Sequence, residues 1–165
     1  MKRATPDQFT PPLTEGSANQ NAALCWRMHR GRVQVLLITS RDTGRWIVPK
    51  GWPMEGKTAA ETAVIEAWEE AGVQGEVEAA APLGFYRYDK LCLPKPPVPC
   101  LVSVFSLRVT QLVDKYPERK ERRRKWFDAR KAARKVVEPD LRGLLVRLSC
   151  RGQKLSSVDA REKHA

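Results

Sequence analysis

Apolar positions along this 165-residue chain fall into short runs, and the period of those runs changes on either side of one glycine- and proline-bearing loop. Residues 22–28 and 33–40 are dense in apolar side chains around Arg30 and Gly31, which predicts two strands joined as a hairpin. A short apolar segment at 46–48 then meets Pro49, Lys50, Gly51, Trp52 and Pro53, which neither continue a strand nor open a helix cleanly. Beyond this loop the spacing is helical: Ala60, Val64, Ala67 and Ala71 make a stripe of small apolar residues suited to burial. Thr58 is placed to cap that helix, Glu61 to close a capping box, and Gly72 to end it in a left-handed turn.

The second half of the chain predicts more strands. Residues 76–88 alternate weakly and should be extended, and the proline-rich 95–99 should be a stiff loop. Residues 100–109 carry the strongest strand signal, with Leu101, Val102, Val104, Phe105 and Leu107. A last short strand at 124–127 precedes helical segments at 129–136 and 139–149. Residues 1–20 are polar and aperiodic, predicting a flexible arm, and the polar tail 151–165 should fray. That leaves 21–150 as one folded domain of the α/β class, a mixed sheet between helical layers.

The helix after the glycine loop carries the candidate chemistry. Glu66, Glu69 and Glu70 stand at i, i+3 and i+4, a spacing that gathers carboxylates on one face and off the apolar stripe. Such like charges repel each other unless they share a hard cation that prefers oxygen, such as Mg²⁺ or Mn²⁺. Alone, the triplet would be a solvated acidic patch. Set between a glycine loop and a small-residue face, it becomes a metal-binding platform.

Charge adds a second indication. The chain has 30 Lys and Arg against 19 Asp and Glu, a formal charge of +11 with a pI near 9.9, which suits an anionic substrate. The basic run 119–126, followed by Arg130, Lys131, Arg134 and Lys135, has three readings. It could track a nucleic-acid backbone, form a solvated face, or contribute to a phosphate site. Apolar stretches are too short to span a bilayer, and the N-terminus lacks a signal-peptide core. Cys25, Cys92, Cys100 and Cys150 have no metal-type pairing, which predicts reduced thiols and a cytoplasmic protein without membrane attachment.

The segment from Gly51 to Val73 resembles the Nudix box: Gly, five residues, Glu, seven residues, Arg-Glu-apolar-x-Glu-Glu-x-Gly-apolar. Gly51, Glu66, Ala67, Glu69, Glu70, Gly72 and Val73 match at the right spacing; Lys57 replaces the first Glu and Ile65 replaces the Arg. Ser40, Arg41, the run 46–51 and Lys125, Trp126 and Phe127 are similar to the branch that hydrolyses diphosphoinositol and diadenosine polyphosphates.

The resemblance implies an α/β/α sandwich and cleavage of a pyrophosphate bond in a small anionic polyphosphate. Glu66, Glu69 and Glu70 would hold Mg²⁺ or Mn²⁺ with the Gly51 carbonyl, and Glu69, Glu70 or the loop residue Glu118 would serve catalysis. Arg122 and Arg123 would contact substrate phosphates. Arg41, Lys50, Lys57 and Lys90 are further substrate-binding candidates, and Trp52 could stack on a base. In the family the box Arg orients the glutamates, which Ile65 cannot do; another basic residue must, unless activity is reduced. Glu55 could partly replace the carboxylate lost at Lys57. Less favoured alternatives are an RNA-end pyrophosphohydrolase and a non-catalytic nucleotide- or RNA-binding member of the family.

Overall fold

Strands that are nearly continuous in apolar residues must be covered on both faces, and the computed structural model, which describes residues 18–162 with side chains as far as Arg151, shows how. A mixed sheet contains β1 (Ala18–His29), β2 (Arg32–Thr39), β3 (Trp46–Ile47), β4 (Lys50–Gly51), β5 (Val73–Val77), β6 (Gly84–Cys92), β7 (Lys95–Leu112) and β8 (Arg124–Asp128). The central path runs β3-β2-β1-β7-β5, with β4 on β1, β6 on β7 and β8 on β2. β1 and β7 are parallel, whereas the other pairs are antiparallel.

Alternation along the strands divides the core in two. Leu24, Val35, Leu37 and Val104 pack beneath α2 (Ala129–Lys135) and α3 (Pro139–Glu162), against Ala132, Leu141, Leu144 and Leu145. Cys25, Leu36, Ile38, Phe105 and Leu107 face the other way, against Ala63, Ala67 and Ala71 of α1 (Ala59–Ala71). The fold is the expected α/β/α sandwich. Phe127 is buried and Trp126 packs against the core. Cys25 and Cys100 are buried in strands, and all four cysteines are free.

The turn chemistry holds. Arg30 and Gly31 both have positive φ, 49° and 74°, in the two-residue turn that joins β1 to β2. Thr58 and Glu61 form the capping box of α1, and Gly72 caps its end with φ 65°.

Several expectations need correction. The proline-rich 95–99 is the start of β7, not a loop. Its prolines are tolerated because β1 pairs β7 only from Cys100 onward, so their missing N–H groups cost little on that side. Residues 76–88 are not one strand; β5 and β6 both pair with β7, separated by residues 78–83. The backbone of α3 continues to Glu162, past the expected frayed end, through a tail that contains no proline. At the other end residues 1–17 of the expected arm lie outside the described residues, and Ala18, Asn19 and Gln20 already belong to β1.

Gly72 is a fixed point of the architecture. Its N–H donates to the Trp68 carbonyl, and its own carbonyl accepts from Val113 N–H at 2.9 Å. A Cβ there would stand 2.6 Å from the Val113 carbonyl oxygen and 2.8 Å from Arg124 Nη1. Gly72→Ala should therefore lose stability through both left-handed strain and overpacking, about 2–4 kcal/mol in urea unfolding. A loss below about 0.5 kcal/mol would contradict this placement.

Candidate active site

Three segments converge where the C-terminal half of α1 meets the glycine loop. α1 presents alanines to the sheet, so its backbone lies close, and this brings Glu66 and Glu70 under cover: they are 9% and 7% exposed. They sit beside the buried alanines rather than off that face, as the sequence had suggested, while Ala60 and Val64 are only partly buried. β4 fastens Lys50 and Gly51 to Ala22 and Asn21 of β1, directly against the helix. Any Cβ at Gly51 would collide with the Glu66 carboxyl group, which explains the glycine. The third segment, the loop after β7, brings Glu118, whose N–H donates to the Glu69 carbonyl at 2.9 Å.

The result is a cleft of about 490 Å³. Glu66, Glu70, Glu118, Gly51, Lys50, Lys90, Arg41 and Arg122 line it, so most residues picked from the sequence come together. Trp52 also lines the wall, 44% exposed, with Lys90 Nζ 5.6 Å from its ring centre. Gln20, Ser40 and Asp42 line it too and were missed. Gln20 had been assigned to the arm; it is 3% exposed in β1 and accepts a hydrogen bond from the Tyr88 hydroxyl.

Other candidates stand outside the lining. Glu69 is partly buried beside the cleft. Lys57 and Glu55 are exposed around the turn in which Lys57 N–H donates to the Met54 carbonyl at 3.1 Å, and that turn carries them clear of the cleft. Arg123 points away as well, because neighbours on an extended chain face opposite sides: Arg122 has a side chain only 7% exposed, whereas Arg123 is exposed above Trp46. The basic run is thus not one surface. Arg124 also turns inward, donating to the Ala71 and Val113 carbonyls at 2.8 and 2.9 Å.

Charges lining the cleft balance: Arg41, Lys50, Lys90 and Arg122 face Asp42, Glu66, Glu70 and Glu118. The basic surplus lies elsewhere, part of it in a second cleft lined by Arg32, Arg130, Lys131 and Arg134 with Asp128. The cations in the first cleft are also engaged. Arg41 pairs with Glu118 and Glu121 at 3.5 and 3.4 Å. Arg122 reaches Glu70 at 3.3 Å, Glu118 at 3.4 Å and the Thr39 carbonyl at 3.1 Å. The Lys50 N–H donates to Glu70 Oε2 at 3.2 Å, and its ammonium lies over the Tyr88 ring.

Burial dominates the electrostatics. It pushes the Glu70 carboxyl up to about 7, against the opposing pull of Arg122. Glu66 is also raised, first by burial and then by repulsion from Glu69 and Glu118. Burial lowers Lys50, with Glu70 opposing the shift. No hydrogen bond or ion pair from a described residue reaches the Glu66 carboxylate. As placed, no three His, Cys, Asp or Glu side chains among the described residues form a ready ligand set. Glu70 is held by Arg122 and Lys50, which accounts for part of that. The donors themselves are hard oxygens, a chemistry that suits a divalent ion.

In the metal-free protein, ionising Glu70 and Glu66 costs folding free energy. Their folded pKa values lie above the usual 4.5, so the stability they contribute is present at low pH and is lost as pH rises toward 7. Thermal stability without metal should fall across that window, and Mg²⁺ or Mn²⁺ should restore more at pH 7.5 than at pH 5. A metal effect equal at both pH values would contradict this.

Comparison with known proteins agrees with the geometry. A family model described as NUDIX domain matches residues 18–148. Human diphosphoinositol polyphosphate phosphohydrolase 3-alpha is 32% identical over 127 residues, covering 76% of this chain and 73% of its own. Nudix hydrolase 12, mitochondrial, of Arabidopsis thaliana is 32% identical over 108 residues, but that match spans only about half of its length (51%) and 61% of this chain. A crystal structure of C. elegans Ap4A hydrolase superposes with a TM-score of 0.58 at 18% identity, covering 81% of this chain and 97% of that one, a likeness of fold. No described helix is long and apolar enough to cross a membrane. On the family match and the human relative together, the chain belongs to the Nudix hydrolase family.

Proposed function

We propose that this domain is a divalent-metal-dependent pyrophosphohydrolase that cleaves a phosphoanhydride bond in a small anionic polyphosphate. One observation carries the proposal: the Glu66 carboxyl group packs against Gly51 at the cleft wall with no hydrogen-bond donor among the described residues, and neighbouring carboxylates repel it. A carboxylate in that setting is stabilised by a nearby cation. Glu66, Glu69, Glu70 and the Gly51 carbonyl would hold Mg²⁺ or Mn²⁺. When bound, the ion neutralises the anhydride and acidifies nearby water.

The chain's own groups divide the remaining work. Glu70 on α1 is one candidate to accept a proton from water. Glu118 on the facing wall is the second candidate, with its charge already shared between Arg41 and Arg122. Lys50 and Lys90, which have no ion pair among the described residues, are positioned for substrate phosphates.

Of the two substrate classes, a dinucleoside polyphosphate suits this cleft better than a diphosphoinositol polyphosphate. Arg41 and Arg122 are already paired, so among the lining cations a densely phosphorylated ring would find only Lys50 and Lys90 uncommitted. The exposed Trp52 ring offers a stacking face that a base can use and an inositol cannot. With Mg²⁺ or Mn²⁺, the purified protein should therefore hydrolyse dinucleoside polyphosphates faster than diphosphoinositol compounds, with both products identified by chromatography. Glu69→Gln and Glu70→Gln should each lower kcat by about 10²-fold or more while circular dichroism stays unchanged. Turnover of no diphosphate compound across a broad panel would leave a binding protein and contradict the hydrolase reading.

A further inference from the structure

We infer that Arg122 is a positioning residue that fixes the Glu70 and Glu118 carboxylates relative to each other and to the end of β2; the inference rests on the hydrolase reading above. Arg122 comes from a distant part of the chain, and its three nitrogens go to three separate elements. Nη2 reaches Glu70 Oε1 on α1 at 3.3 Å. Nε reaches Glu118 Oε1 in the loop after β7 at 3.4 Å. Nη1 donates to the Thr39 carbonyl at the end of β2 at 3.1 Å.

Only a planar fork with fixed donors can bridge three acceptors in this way; an ammonium on a flexible stem offers its charge but not its directions. The side chain is 7% exposed, so its loss would leave the Glu70 and Glu118 carboxylates facing each other in a partly dry wall. Neighbouring bonds draw the same segment together. Glu118 N–H donates to the Glu69 carbonyl, Arg123 N–H to Thr39 Oγ1, and Arg124 Nη1 to the Ala71 carbonyl. The stretch 118–124 is thereby stitched to the end of α1 and the end of β2, with Arg122 at its centre. A guanidinium committed in this way sets where the carboxylates stand, whereas a phosphate-binding arginine would have its fork open to the cleft.

Arg122→Gln and Arg122→Lys test the inference in the full chain, with circular dichroism as the check on folding. Both should lower kcat by about 10²-fold, as a small misplacement of reacting groups does, with KM changed by less than about threefold. In the metal-free protein, hydrogen exchange at the Glu118 amide should speed up at least about tenfold in both variants, because the loop is released. Full activity in Arg122→Lys would show that charge alone suffices and overturn the inference. So would a rise in KM of about tenfold at constant kcat, which marks a substrate contact, or unchanged Glu118 exchange. If the wild-type protein hydrolyses nothing, the hydrolase reading fails by itself, and the exchange measurement still decides whether Arg122 holds the loop.

Discussion

Carboxylates crowded into a partly dry space repel each other, and the rest of this site is organised around that repulsion. Glu66 and Glu70 share one face of α1, Glu118 is brought across from a loop, and burial raises both helix carboxyls. Such a cluster weakens the fold that holds it. Its retention makes chemical sense when a cation and a polyphosphate complete it, as the family to which the chain belongs would imply.

The scaffold keeps the cluster in place through contacts that have little to do with charge. Ala63, Ala67 and Ala71 let α1 lie close on the sheet, and Gly51 leaves room for Glu66 where any side chain would collide. Gly72 ends the helix so that Val113 can bond to its carbonyl, which starts the loop bearing Glu118 on its return to α1. Arg124 reaches across to the Ala71 carbonyl and puts a positive charge at the helix C-terminus, where the helix itself has no basic residue. Structure and electrostatics are therefore coupled: the bonds that close the helix also deliver the far wall of the cleft.

Much of this was legible in the sequence because local chemistry dictates it. The capping box at Thr58 and Glu61, the left-handed Gly72 and the turn at Arg30 and Gly31 all follow from nearest-neighbour rules. What escaped depends on contacts distant in sequence. Prolines 96, 97 and 99 read as a loop until the register of β6 and β1 on β7 shows which side of the strand has no partner. Gln20 had no local signal; only its place in β1, opposite Tyr88, makes it part of the site. Arg122 and Arg123 look alike in a basic run, and the inward turn of one and not the other is decided by strand geometry. The overall positive charge says little about the cleft itself, whose charges balance while part of the surplus lines a second cleft.

The central claim is that the Glu66 cluster exists to take up a divalent cation. Titrating the metal-free protein with Mn²⁺ at neutral pH, and following free ion by electron paramagnetic resonance, tests it most directly. Saturable uptake by the wild-type chain, weakened at least about tenfold in a folded Glu66→Gln variant, is the predicted result. Binding that is absent, or identical in the two proteins, would contradict it.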